Sequence, residues 1–76
     1  MELTAYNFNG KFLGNLDTDQ TDLDLALEET ARSFNLGDKD LITVNGNRTE
    51  GYQCEPSFEE DAEEETKYYF KKVFFK

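Results

Sequence analysis

Seventy-six residues with 17 acids against eight bases give a formal net charge of −9 and room for one domain only. One cysteine and no histidine exclude an internal disulfide and the usual zinc sites, and leave general acid–base chemistry without its commonest side chain. Seven Phe and four Tyr are a large apolar payload for so short a chain and predict a compact fold rather than disorder.

The segment 2–16 reads as a β-hairpin turning at Asn9-Gly10, because both central positions of a type I′ turn need positive φ. Pairing about that turn sets Leu3 opposite Leu16, Ala5 opposite Gly14, Tyr6 opposite Leu13 and Asn7 opposite Phe12. Gly14 marks a bulge or a close backbone approach. A polar loop over 17–20 leads into a helix. Thr21 is its expected N-cap, with Asp24 completing a weak capping box. The helix runs to about Phe34, and Gly37 suits the left-handed position beyond its end. Leu23, Leu27, Thr30, Ala31 and Phe34 fall within an arc of roughly 100° and form the buried stripe. Asp22, Asp24, Glu28 and Glu29 lie off it, and Leu25 projects among these acids.

Leu41–Val44 is the best β-branched run in the chain and reads as a strand. Asn45-Gly46 repeats the hairpin signal and leads through Arg48 and Thr49 toward Tyr52. The residues 53–57 read as connection, with Pro56 as punctuation. Beyond them two readings compete. Ser57 with Glu60 is a capping-box pattern, and acids early with lysines late suit a helix dipole. The density of aromatics from Tyr68 onward favours the other: an acidic loop or short helical turn over 57–65, then a strand over 66–75. In that strand Tyr68, Phe70 and Phe74 share a face on which Lys72 intrudes. The expected architecture is a single α+β domain over 1–76, a small, mainly antiparallel sheet with one helix packed on it. The stretch 53–66 is its acidic connection. The order of elements resembles that of the β-grasp family.

Catalytic and metal-binding patterns are weak. Asp17, Asp19, Thr21 and Glu28 match four positions of the calcium-loop spacing, but Asp22 stands where that loop needs glycine. Cys54 has no histidine partner, and Glu55 beside it raises a thiol pKa rather than lowering it. No glycine-rich phosphate loop is present. No catalytic residue, metal or cofactor is therefore expected. Lys67, Lys71, Lys72 and Lys76 interleave with aromatics, as in some nucleic-acid platforms. The stronger reading makes those rings core and those lysines the solvent edge of a terminal strand. No direct contact with nucleic acid and none with membrane is expected. The sequence shows no apolar run of spanning length and no signal pattern.

The informative feature is the acid. Thirteen of the 17 acids fall in two blocks, at 17–29 and at 55–65. One block presents Asp22, Asp24, Glu28 and Glu29. The other presents Glu59, Glu60, Asp61, Glu63, Glu64 and Glu65. Sharing one face, they would offer carboxylates to a basic cleft and approximate the field of DNA, which carries about one charge per 1.7 Å of axis. Leu25 and Tyr52 would add apolar anchoring, since charge supplies steering more than affinity. In size, charge and one-domain make-up the chain resembles the small acidic counter-defence proteins of phages and plasmids, which include DNA-mimic anti-restriction proteins and acidic anti-CRISPR inhibitors. The resemblance implies a non-enzymatic inhibitor in the cytoplasm of a bacterial host. Its partner would be a nuclease or other nucleic-acid-binding protein with a basic groove. The alternatives are a β-grasp-like adaptor, or a small accessory subunit with Tyr69, Val73 and Phe75 as its interface.

Overall fold

The computed structural model describes residues 1–58 and 66–75. Five strands and one helix follow in the order β1 (Glu2–Tyr6), β2 (Phe12–Asp17), α1 (Leu23–Ser33), β3 (Leu41–Val44), β4 (Glu50–Phe58) and β5 (Thr66–Phe74). The strands form one sheet in the order β2-β1-β3-β4-β5, and every pairing is antiparallel. β1 therefore runs opposite to both its neighbours. β2 and β3 point the same way on either side of it, joined through α1. The α+β expectation holds: one helix covers one face of an antiparallel sheet. The likeness to β-grasp proteins rests on element order; here β5 lies at the sheet edge beside β4.

Strand alternation sorts the residues into two faces. One row on the helix side runs Gly14, Ala5, Ile42, Tyr52, Lys72, with one residue from each strand. The matching row on the other side runs Phe12, Tyr6, Leu41, Gln53, Lys71. The core lies between the first face and α1. Leu3, Ala5, Ile42 and Cys54 meet Ala26, Leu27, Ala31 and Leu36 there. Thr30 is fully buried among them and donates its hydroxyl to the Ala26 carbonyl at 2.8 Å. The expected helix stripe is right in Leu27, Thr30 and Ala31, while Leu23 and Phe34 pack at its margin and Ala26 joins it.

The local caps differ from the sequence reading. Asp22, not Thr21, is the N-cap of α1. Its Oδ1 accepts the N–H groups of Asp24 at 2.9 Å and Leu25 at 3.3 Å. Aspartate outranks threonine at this position, so the frame settles one residue later. At the other end Asn35, not Gly37, takes the left-handed conformation, with φ 50°. The Leu36 N–H donates to the Ala31 carbonyl and the Asn35 N–H to the Arg32 carbonyl. That is a Schellman ending, closed by the apolar contact of Leu36 with the core.

The first hairpin keeps Leu3 opposite Leu16 and Ala5 opposite Gly14, but Tyr6 pairs with Phe12, and not with Leu13 as expected. Gly10 alone is left-handed in this turn. The Asn7 side chain accepts the N–H groups of Asn9 and Lys11 at 2.9 Å, and the Asn7 N–H donates to the Lys11 carbonyl. That Asn-centred turn consumes an extra residue and displaces Leu13 as a bulge. The second Asn-Gly does adopt positive φ at both positions, 52° and 72°. The chain then continues through 47–49 before β4 begins.

The residues 53–57 are strand, not connection. β4 runs unbroken to Phe58 and pairs with β5 from Glu50 opposite Phe74 to Phe58 opposite Thr66. Pro56 fits because of where its missing N–H would point. Cys54 donates its N–H to the Asp40 carbonyl on the β3 side. Alternation aims Pro56 to that same side, where β3 no longer runs, so no ladder bond is lost. Past Cys54 the β4–β5 pair is thus a two-stranded ribbon extending beyond the sheet. The strand expected over 66–75 is observed as Thr66–Phe74. Within it Tyr68 and Phe70 stack, centroids 6.5 Å apart, and pack against the core, whereas Phe74 stays exposed.

Candidate functional site

The acids of α1 are held by a short helix whose cap, stripe and ending are all satisfied, and each acid has a definite post. Asp22 is spent on the N-cap. Glu29 accepts the Thr18 hydroxyl at 2.8 Å and ties the helix to the loop after β2. Glu28 pairs with Arg32 at 2.8 Å, one helical turn on. The Arg32 guanidinium in turn lies 5.3 Å from the Tyr68 ring centroid. Asp24 is the one helix acid whose carboxylate has no hydrogen-bond or ion-pair partner among the described residues. Asp24 and Glu28 line a cleft of about 320 Å³ between α1 and 68–70 of β5. Leu25 stands among these acids, 51% exposed.

The direction of α1 gives this ridge its meaning. Its first residue, Leu23, shares a depression of about 390 Å³ with Val44, Glu50 and Tyr52. Its last turn brings Arg32 over Tyr68, which pairs with Pro56 in the ribbon. The helix therefore runs along β4–β5 toward the end where Phe58 meets Thr66. Glu59, Glu60, Asp61, Glu63, Glu64 and Glu65 follow Phe58 in sequence and lie outside the described residues. Tyr52, the other expected apolar anchor, packs half-buried against the core and lines the depression shared with Leu23. The second acidic patch, near the β2 end, has Asp17, Thr18, Asp19, Gln20 and Glu29 around a depression of about 440 Å³.

Cys54 is fully buried. Burial pushes its thiol up to about 11, with the negative charges of Asp40, Asp38 and Glu55 adding to the shift. A thiol so protonated is a poor nucleophile and metal ligand. Among the described residues no group of three or more His, Cys, Asp or Glu converges as a metal site would. No helix among them is long and apolar enough to cross a membrane. Comparison of the chain with protein-family models, with curated proteins and with solved structures returns no match.

The sheet face away from the helix carries Tyr69 and Val73 of the accessory-subunit reading, but sequence reasoning did not foresee the depression on it. There Tyr6, Leu41, Thr43 and Phe75 surround a depression of about 330 Å³, with Gly10, Asn47 and Arg48 at its margin. The signal was available. β1 and β3 carry apolar residues on both alternating faces, Ala5 with Tyr6 and Ile42 with Leu41, while the described residues hold one helix to cover one face.

Proposed function

We propose that the protein is a non-enzymatic inhibitor of the anti-CRISPR or DNA-mimic type, presenting carboxylates to the basic groove of a nucleic-acid-binding enzyme and excluding its nucleic acid. The observation that carries this reading is the course of α1 along the β4–β5 ribbon. The unpartnered Asp24 and the half-exposed Glu28 thereby belong to the same side of the molecule as the ribbon, whose two strands flank the second acidic block in sequence. Leu25, exposed between them, supplies an apolar contact that charge alone lacks. The buried, protonated Cys54 is no nucleophile, which favours binding over chemistry.

The test is capture of partners on the immobilised protein at low and at high salt, alongside an Asp24→Lys variant and one with the acids of 59–65 changed to Lys. Asp24 lies in the first helical turn and is exposed, so its reversal costs the fold only about 0.3–1 kcal/mol. The expected partner is a nucleic-acid-binding protein that salt releases and that neither variant retains. A partner held equally by both variants, or held at high salt, rules the reading out.

A further inference from the structure

We propose that the depression on the open sheet face is an anchor site for an acidic segment of a partner protein, taking one apolar side chain with a neighbouring carboxylate on the Arg48 guanidinium. This does not rest on the inhibitor reading; it concerns the opposite face and the opposite sign of charge.

The lining sets this depression apart. The three other depressions described above each contain a carboxylate: Glu50 in one, Asp17, Asp19 and Glu29 in the second, Asp24 and Glu28 in the third. The one walled by Tyr6, Leu41, Thr43 and Phe75 contains none, and its charged member is Arg48. In a chain of net charge −9 this is a local inversion. Arg48 has no ion-pair or hydrogen-bond partner among the described residues, so its donors are available to an incoming anion. A guanidinium offers a planar fork that fits a carboxylate.

Distance separates the depression from the helix acids, which lie across the sheet from this face. The helix covers the other face of the sheet, so its acids do not border this depression. Alternation puts Lys71 on the same face, with Glu2, Asp17 and Glu55 further out on it, so the positive charge is local to the depression and is that of Arg48.

The surroundings select a protein segment as the occupant. The depression, about 330 Å³, has room for one large side chain. Beside it Phe8 and Phe12 are 65% and 55% exposed and widen the contact for a larger partner. Tyr, Phe and Arg are the residues enriched at protein interfaces. A single-stranded nucleic acid would need open ring faces for stacking. Here the Tyr6 and Phe12 rings pack edge to face, Phe75 lies across Gly51, and Lys67 sits over Tyr69 at 5.6 Å.

The test uses the ¹⁵N-labelled protein and three blocked peptides: Glu-Asp-Phe-Asp-Glu, its Phe-to-Ala version, and Lys-Lys-Phe-Lys-Lys. The expected result is amide shifts at Tyr6, Leu41, Thr43 and Phe75 with the acidic Phe peptide alone, persisting at physiological salt. Arg48→Gln, in an exposed turn, weakens that binding about fivefold. Asp24→Lys leaves it unchanged, which separates this site from the acidic ridge. The proposal is overturned if the lysine peptide shifts the same amides, if the acidic peptide shifts none of them, or if the shifts survive Arg48→Gln undiminished. It is also overturned if those amides move on dilution of the protein alone, which assigns the face to a second copy. Movement with oligothymidylate and not with the peptide overturns it too, and assigns the face to nucleic acid.

Discussion

Gly14→Ala tests the close approach of the Phe34 ring, at the C-cap of α1, to β2. An ideal Cβ at this position stands 2.5 Å from Cε1 and 3.0 Å from Cζ of Phe34. Ordinary carbon contacts are about 3.5–4.0 Å, so the ring must retreat by about 1 Å. Forcing such a shift in a packed core costs about 1–3 kcal/mol. Two effects oppose each other. Alanine also narrows the unfolded ensemble, which returns about 0.4–1 kcal/mol where the backbone tolerates it. Gly14 has no positive φ, so that gain applies. The net expectation is a loss of about 1–2 kcal/mol, lowering the melting temperature of so small a domain by roughly 4–16 °C. The double-mutant cycle is decisive. With Phe34→Ala the ring is gone, and Gly14→Ala should turn neutral or mildly stabilising, giving a coupling of about 1–3 kcal/mol. Urea unfolding followed by circular dichroism and tyrosine emission measures all four corners. Equal cost of Gly14→Ala in both backgrounds would falsify the contact as its cause.

Three other perturbations follow from the same packing. Cys54 keeps its proton in the folded state up to about 11, whereas the unfolded thiol loses it near 9, so stability falls as pH rises between those values. The loss approaches roughly 3 kcal/mol and should be absent from Cys54→Ala; parallel stability–pH curves for the two proteins would contradict it. Asp40 joins two loops, its Oδ1 accepting the Phe8 N–H at 3.0 Å and its Oδ2 the Gly37 N–H at 2.7 Å. Asp40→Ala should cost about 1–3 kcal/mol and speed amide exchange at both donors, with Asp40→Asn milder. Leu27→Ala, at a fully buried helix position, should cost about 2–5 kcal/mol and leave the domain largely unfolded, whereas Thr30→Val beside it should stay within about 1 kcal/mol. Thermal melts of the pair distinguish cavity formation from loss of one hydroxyl bond.

Period and propensity made most of the elements legible in the sequence, because each rests on a local signal that tertiary contacts reinforce. Leu27, Thr30 and Ala31 keep helical spacing and are buried; Leu41–Val44 is β-branched and is a strand. Contacts between similar local options were not legible. Asp22 and Thr21 both make N-caps, and Asn35 and Gly37 both tolerate left-handed φ; one residue separates the first pair and two the second. Pro56 reads as a break until β3 is known to stop short, since only then does its missing N–H cost nothing. Of the candidate site, the exposure of Asp24 and Leu25 was readable from the helix phase. The engagement of Glu29 with Thr18, and the inward packing of Tyr52, depend on neighbours remote in sequence.

Salt should move folding and partner binding in opposite directions, and the sign follows from what the charges do. Three ion pairs are formed among the described residues: the N-terminus with Asp17 at 3.9 Å, Arg32 with Glu28 at 2.8 Å, and Lys72 with Glu50 at 3.3 Å. Each is at or near the surface and contributes about 0–1 kcal/mol, so screening them costs little. Against them stands the mutual repulsion of a chain with nine acids in excess, which added salt relieves. Repulsion is the larger sum, so the melting temperature should rise as sodium chloride is added, and chloride rather than sulfate keeps solute exclusion from mimicking the effect. Changing the acids of 59–65 to Gln should raise the starting stability and flatten the salt response. Binding to a basic groove, by contrast, should weaken over the same range, because the same screening removes an attraction. A melting temperature that falls with sodium chloride would mean that the carboxylates are already compensated by cations within the fold. The acidic ridge would then lack the unpaired charge that the proposed function requires.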